Sequence, residues 1–132
     1  MKSTCFIRVR GYELDSFGHV NNAVYLQYAE TAKWEYFNDT GLLKELNKLK
    51  YFPVILENNV RYLHALHLMD TVQIDTVWKC SMGVVSFSHS FKNSATGQKV
   101  CKVTGKLVFV DENEVICSIP EIMLQYMENE TQ

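Results

Sequence analysis

The sequence predicts an α+β domain in which a single antiparallel sheet curls round one mostly apolar helix. Three observations lead there. The stretch 22–38 has helical spacing but carries apolar residues on too many sides for an ordinary surface helix. One segment before it and four after it read as strands, most of them with apolar and polar residues alternating at a period of two. Turns of hairpin length separate the later segments, and no strand–helix–strand alternation appears, so the pairing is antiparallel rather than parallel.

In chain order, residues 4–12 set Ile7 and Val9 against Arg8 and Arg10, a strand that ends near Gly11. A loop with Asp15, Gly18 and His19 follows. Asn21 and Asn22 both suit a helix N-cap, because a short amide side chain can accept from the first unpaired helical N–H groups. From Asn22 to about Asn38 the helix puts Gln27, Thr31, Glu35 and Asn38 on a polar stripe. Tyr25, Tyr28, Ala29, Ala32 and Tyr36 gather opposite it. Ala23, Leu26, Trp34 and Phe37 add a second apolar flank, so most of the helix should be enclosed. Gly41 stops or turns the chain, and Leu42 to Lys50 is a candidate short second helix.

Pro53 opens a long strand that runs to Leu63, and its polar centre Glu57-Asn58-Asn59 suits a bulge or a site. Met69 and Asp70 form a turn. From Thr71 to Lys79, Val72, Ile74, Thr76 and Trp78 share one face. After a turn at Ser81-Met82-Gly83, Val85, Phe87, His89 and Phe91 do the same. Residues 93–97 make a hairpin loop, Gln98 to Val110 a long strand, and 111–114 close it. The tail beyond Pro120 is expected to hold one more helical turn. No repeat, low-complexity stretch or linker divides the chain, and residues 1–132 read as one domain.

A chain of 132 residues can bury roughly two-thirds of its unfolded surface, so it needs neither metal nor disulfide to fold. Thirteen basic residues lie scattered among fifteen acidic ones for a net charge of −2, which argues against a nucleic-acid partner. No window is apolar enough for a membrane span, and no run of signal-peptide type opens the sequence. Cys5, Cys80, Cys101 and Cys117 are far apart without a Cys-x-x-Cys pair, as expected of free buried thiols in a reducing cytosol. The expectation is a cytoplasmic protein that uses no cofactor.

The chemistry concentrates where the loop meets the helix. A helix start exposes unpaired N–H donors and partial positive charge. An acyl carbonyl oxygen placed at the N–H groups of Asn22 or Ala23 would be polarised there. The developing oxyanion would gain roughly 3 kcal/mol per good donor. Asp15 could then act as general base on water, or attack the carbonyl itself to give a mixed anhydride. Its alternative role is a turn aspartate that caps local N–H groups.

Gly18 would let backbone approach closely. His19 is either a second base or a loop histidine that positions backbone or ligand. Glu30 reads as an interior or interface acid paired with Lys33. Glu57, Asn58 and Asn59 line a pocket or mark a polar bulge. Phe17, Tyr25, Tyr28 and Trp34 would wall an aromatic tunnel or serve as core. His64 and His67 have no third ligand nearby, so no metal site is assigned. No Gly-x-Ser-x-Gly and no phosphate-cradling glycine loop occurs.

The run Asp15-Ser-Phe-Gly-His-Val-Asn-Asn-Ala-Val-Tyr25 resembles the signature of the hotdog-fold acyl-CoA thioesterases of the 4-hydroxybenzoyl-CoA thioesterase type. That signature is an acidic residue, any residue, Asp, two residues, Gly-His-Val-Asn-Asn and then Tyr, followed by a helix with Glu and Ala. Glu13 takes the first acidic place and Asp15 the second. Gly18, His19, Asn21, Asn22, Tyr25 and Glu30 also fit. Tyr62 to Asp70 is similar to the family's turn between strands, and Ile119-Pro120 to its closing Ile-Pro. Met69 departs from the pattern, standing where the family usually has glycine, and so do His64 and Leu66.

The resemblance implies a five-stranded antiparallel sheet round one long helix. It also implies a dimer with continuous sheet, often a tetramer, with two sites at the subunit interface. The substrate would be an acyl-CoA or an acyl carrier protein. Asp15 becomes the catalytic carboxylate and the helix N–H near Asn22 the carbonyl-polarising donor. Phe17, Gly18, His19, Tyr25, Glu57 and Asn59 are the substrate-binding candidates. Two alternatives remain: a hotdog domain that binds acyl-CoA without turnover, and a hotdog hydratase. The latter usually carries Asn-Pro-x-His where this chain has Asn21-Asn22-Ala23.

Overall fold

The computed structural model describes residues 2–131, with side chains over 3–127. Strand β1 (Lys2–Arg8) leads through a 3-10 turn (Gly11–Glu13) and a loop into helix α1 (Asn22–Thr40), with α2 (Leu42–Leu49) directly after it. Then come β2 (Phe52–Tyr62), β3 (Thr71–Ser81), β4 (Val84–Asn93), β5 (Lys99–Val110), the two-residue β6 (Ile116–Cys117) and helix α3 (Glu121–Thr131). All strand pairs are antiparallel, in the order β1-β3-β4-β5-β2.

Six strands and three helices stand where the resemblance implies five strands and one long helix, and α2 fills the stretch that the sequence offers as a short second helix. The sixth strand arises because β4 pairs with β5 only as far as Leu107, which leaves one side of Phe109 and Val110 for Ile116 and Cys117. The tail is also longer than one turn. Met123 of α3 is fully buried beside Leu42 and Leu46 of α2, so apolar burial rather than intrinsic propensity holds the end helices in place.

The strand alternation appears as drawn from the sequence. Val72, Ile74, Thr76 and Trp78 of β3 and Val85, Phe87, His89 and Phe91 of β4 all face inward and are buried. They meet Tyr25, Tyr28, Ala32, Tyr36 and Phe37 of α1, with Tyr36 stacked on Trp78 at 4.8 Å between ring centroids. The helix is less enclosed than its composition suggests. Ala23, Glu30 and Trp34 are exposed, because the sheet covers only one side of α1.

Strand β2 lies at the end of the sheet order and bonds only to β5 among the described residues. The register slips between Ile55 and Glu57, which puts the irregularity at Leu56, one residue before the polar triplet. Phe52, Val54 and Leu56 are exposed along this strand. The four cysteines are free thiols. Only Cys101 is buried, which pushes its thiol up to about 11, and Cys80 lies on the surface. No described helix is long and apolar enough to cross a membrane.

Candidate active site

The loop before α1 is shaped by the side chain of Asp15. Its Oδ1 accepts from the backbone N–H of Phe17 at 2.9 Å and of His19 at 3.1 Å. The Asp15 N–H donates to the His19 carbonyl at 2.7 Å, and the Gly18 N–H to the Asp15 carbonyl at 3.1 Å. The turn aspartate inferred from the sequence is therefore present, yet it engages only one carboxylate oxygen. Among the described residues nothing donates to Oδ2. Gly18 has φ +76° with nothing near a Cβ placed on it, so glycine serves the left-handed turn and not a close approach.

The start of α1 then decides which amide is free. Asn21 is the N-cap, and its side-chain oxygen accepts from the Ala23 N–H at 3.0 Å. The Val24 N–H donates to the Asn21 carbonyl at 2.9 Å. Of the two donors expected for a carbonyl, Ala23 is thus occupied. Among the described residues no acceptor meets the N–H of Asn22, and the carbonyl of Asn22 accepts from the Tyr62 hydroxyl at 2.9 Å.

The second wall comes from the segment after β2. The Val20 N–H donates to the Leu66 carbonyl at 3.0 Å, and the Leu66 N–H to the Tyr25 hydroxyl at 3.3 Å. These bonds draw 62–66 alongside the loop and leave an open cleft of about 250 Å³ between the two. Asp15, His19, Asn22 and Tyr25 line one side, and Tyr62, Leu63, His64 and Ala65 the other. Burial raises the Tyr25 phenol above its ordinary range, with the Leu66 N–H acting against it. Tyr25 therefore stays a neutral hydroxyl.

Two buried groups fix the loop to the helix from behind. Glu13, only 6% exposed, accepts from the Tyr28 hydroxyl at 2.6 Å and from the Arg10 N–H at 2.8 Å. Its carbonyl accepts from the Asn21 N–H at 2.9 Å, which sets the cap itself. The motif alone gives Glu13 a place but no role, and helical spacing makes its companion Tyr28 only tunnel or core. The signal was the carboxylate two residues before Asp15.

The cleft gathers Asp15, His19, Asn22 and Tyr25 from the sequence-derived candidates. Phe17 stands exposed at the loop tip, with its ring 6.4 Å from that of His19. Glu57 and Asn59 do not line the cleft. They are exposed on β2, where Glu57 pairs with Lys106 at 3.8 Å. His64 and His67 turn to different partners: His64 Nδ1 lies 3.0 Å from the Lys99 carbonyl, and His67 Nδ1 3.7 Å from Asp70. Tyr62 and Ala65, which no periodicity marks, complete the wall only because β2 returns beside the helix start.

Comparison with known proteins places this arrangement among relatives. The family model of the thioesterase-like superfamily matches residues 9–126. The long-chain acyl-CoA thioesterase FadM of Escherichia coli is 34% identical over 68 residues, 52% of this chain and 52% of that protein. The chloroplastic acyl-acyl carrier protein thioesterase ATL3 of Arabidopsis thaliana is 27% identical over 116 residues, 86% of this chain and 61% of that protein. The chain thus spans only about half to three-fifths of the length of these curated relatives. A 1,4-dihydroxy-2-naphthoyl-CoA thioesterase structure from Synechocystis superposes with a TM-score of 0.89 at 11% identity, covering 100% of this chain and 99% of that one. At that identity the likeness shows a common fold.

Proposed function

Because the chain belongs to the thioesterase-like superfamily and has its hotdog fold, we propose that it hydrolyses the thioester of an acyl-CoA or acyl carrier protein to free acid and thiol. The observation that carries this reading is one cleft lined by a carboxylate, Asp15, and by Asn22, whose helix-terminal N–H has no acceptor among the described residues. The thioester carbonyl oxygen takes the Asn22 N–H, and the partial positive charge of the α1 N-terminus adds to its polarisation. Asp15 then acts on the carbon, either directly as nucleophile or by removing a proton from water.

In the water route a C–O bond forms as the proton passes to Asp15. The oxyanion rests on the Asn22 N–H, and the C–S bond breaks as the same proton is returned to the leaving thiolate. The two N–H bonds to Oδ1 hold the carboxylate in place while Oδ2 remains to work. Phe17, Gly18, His19 and Tyr25 would contact the acyl group or shape the loop around it. A dimer through the open edge of β2 would cover Val54 and Leu56 and bring Glu57 and Asn59 into the interface.

The test is thiol release from short, long and aromatic acyl-CoAs, with Asp15→Asn as the control. The amide oxygen introduced by that substitution can still accept from the N–H groups of Phe17 and His19, so the loop should keep its shape. Turnover should fall by about 10²- to 10⁴-fold, with retained binding of a non-hydrolysable S-(2-oxoalkyl)-CoA. Wild-type protein that binds the analogue but releases no thiol from any of these substrates would instead indicate a binding module.

A further inference from the structure

Basic residues that lie scattered along the chain come together on the outer face of the sheet, the face turned away from α1. Arg61 of β2 pairs in register with Lys102 of β5, and Lys92 of β4 with Lys99 of β5. Arg61 and Lys102 alternate with the inward Tyr62, Cys101 and Val103, and Lys92 follows the inward Phe91, so the cations point outward. Arg61, Lys99 and Lys102 are exposed and Lys92 is half-buried. Among the described residues none of the four meets a carboxylate. Two acids of the same face are engaged elsewhere. Glu57 pairs with Lys106 at 3.8 Å, and Asp75 accepts from the Thr4 hydroxyl at 2.8 Å and the Gln73 amide at 3.1 Å.

Like charges set opposite one another on neighbouring strands destabilise a sheet. Two such pairs side by side weaken the fold, and no ion pair within the described chain offsets them. A second copy packed back to back would bring the same cations together, which repulsion opposes. The complement of this face is an anionic surface. The residues in register beside the cations, Ser90 and Gln73, are polar and carry no ring on which a nucleotide base could stack. A protein surface rich in carboxylates matches it better than a free nucleotide.

The patch borders the cleft. Arg61 directly precedes Tyr62, which lines it. The N–H groups of Leu63 and His64 both donate to the Val100 carbonyl, at 2.9 and 3.1 Å, and His64 Nδ1 lies 3.0 Å from the Lys99 carbonyl. The cleft wall 62–65 therefore continues the strand of Arg61 and is bonded to the start of the strand that carries Lys99 and Lys102. The stretch of β2 edge offered to a dimer, 54–59, stops short of Arg61.

We propose that Arg61, Lys92, Lys99 and Lys102 form the docking surface for an acidic acyl carrier protein, whose prosthetic arm brings the thioester over 62–65 into the cleft. The proposal rests on the thioesterase reading and deepens it, since it selects the protein from the two carriers which that reading allows. Carboxylates of the partner sit between the paired cations and relieve their repulsion, so binding depends on salt.

The experiment measures binding of an acidic acyl carrier protein whose arm ends in an amide-linked dodecanoyl chain, with turnover of dodecanoyl-CoA read in parallel. Wild-type protein should bind it, and about 1 M salt, where charges are screened within about 3 Å, should weaken binding about tenfold or more. Arg61→Glu combined with Lys102→Glu should weaken it about tenfold or more and change dodecanoyl-CoA turnover by less than about twofold. Lys92→Gln combined with Lys99→Gln should weaken it about three- to tenfold, and serves if the first pair does not fold. No binding by wild-type protein would overturn the docking surface, as would binding that neither pair of substitutions weakens. A loss confined to the KM for dodecanoyl-CoA would also overturn it and assign the cations to the phosphates of CoA. Carrier binding through these cations with no thiol release from dodecanoyl-CoA or the dodecanoyl thioester of the carrier overturns the enzyme and keeps the docking surface. Hydrolysis of dodecanoyl-CoA without carrier binding does the reverse.

Discussion

The side chain of Asn21 accepts from the Ala23 N–H at 3.0 Å, and this one bond leaves the Asn22 N–H as the open donor at the start of α1. A cap normally reads as a device for helix stability. Here it also selects which amide can meet a carbonyl. Because a backbone donor cannot be removed by truncating a side chain, the test needs a residue without an N–H.

Asn22→Pro supplies it. Position 22 is the first helical residue, where proline is tolerated, and Asn21 already has φ −60° and ψ 138°, the extended conformation that a following proline requires. The fold should therefore survive while kcat drops by about 10²- to 10³-fold, with a much smaller change in KM. Circular dichroism with steady-state kinetics checks both; unchanged kcat would remove Asn22 from the proposed oxyanion site.

Tyr28→Phe tests the support behind the loop. It deletes the hydroxyl that donates to buried Glu13 at 2.6 Å, and a hydrogen bond to a charged group contributes about 1.5–3 kcal/mol. Urea unfolding should show a loss of that order. Since Glu13 also sets Asn21 through its carbonyl, kcat should fall more than KM. Burial and the bond to Glu13 raise the Tyr28 pKa, so the folded protein holds a proton that the unfolded chain gives up near pH 10. Wild-type stability should decline above that pH, and less steeply in Tyr28→Phe.

His89 sets an acid limit of its own. Burial first, and the charge of Lys33 second, lower its pKa from 6.5 to about 4. The unfolded chain takes up a proton below 6.5 that the folded protein refuses until about 4. The stability is complete above pH 6.5 and is lost as pH falls towards 4, by up to about 3 kcal/mol. His89→Gln should flatten that interval in denaturant melts across the range; an unchanged slope would assign it to other groups.

Met69 occupies φ +68°, in the left-handed region, and is exposed. The turn demands it there, because the Met69 N–H donates to the Val9 carbonyl at 3.3 Å and the Val9 N–H to the Asp70 carbonyl at 2.8 Å. The left-handed conformation costs a side-chain-bearing residue about 1–2 kcal/mol, and glycine recovers this less its own entropy in the unfolded chain. Met69→Gly should stabilise the protein by about 0.5–1 kcal/mol, seen as a higher melting temperature. A lower one would mean that the side chain carries packing worth more than the strain.

Much of this was legible in one dimension because it is local. Period-two alternation placed the inward faces of β3 and β4 residue by residue, and the asparagine pair located the start of α1 correctly. What went astray involved distant partners. The second apolar flank of α1 remained partly exposed, since the pattern of a helix says nothing about how far a sheet will reach around it. Gly18 was assigned a close approach and instead provides a turn, a distinction that depends on φ and neighbours.

The strands, the principal helix and the loop that presents Asp15 beside a helix start follow from spacing and from side chains within a few residues of one another, so the linear chain suffices for them. That Ala23 is capped while Asn22 is open, and that Tyr62 and Ala65 close the cleft, depends on three-dimensional packing. It alone put Trp78 and His89 from two strands beside Lys33 from the helix. Those contacts join residues dozens of positions apart, and their geometry exists only once the sheet has packed against α1.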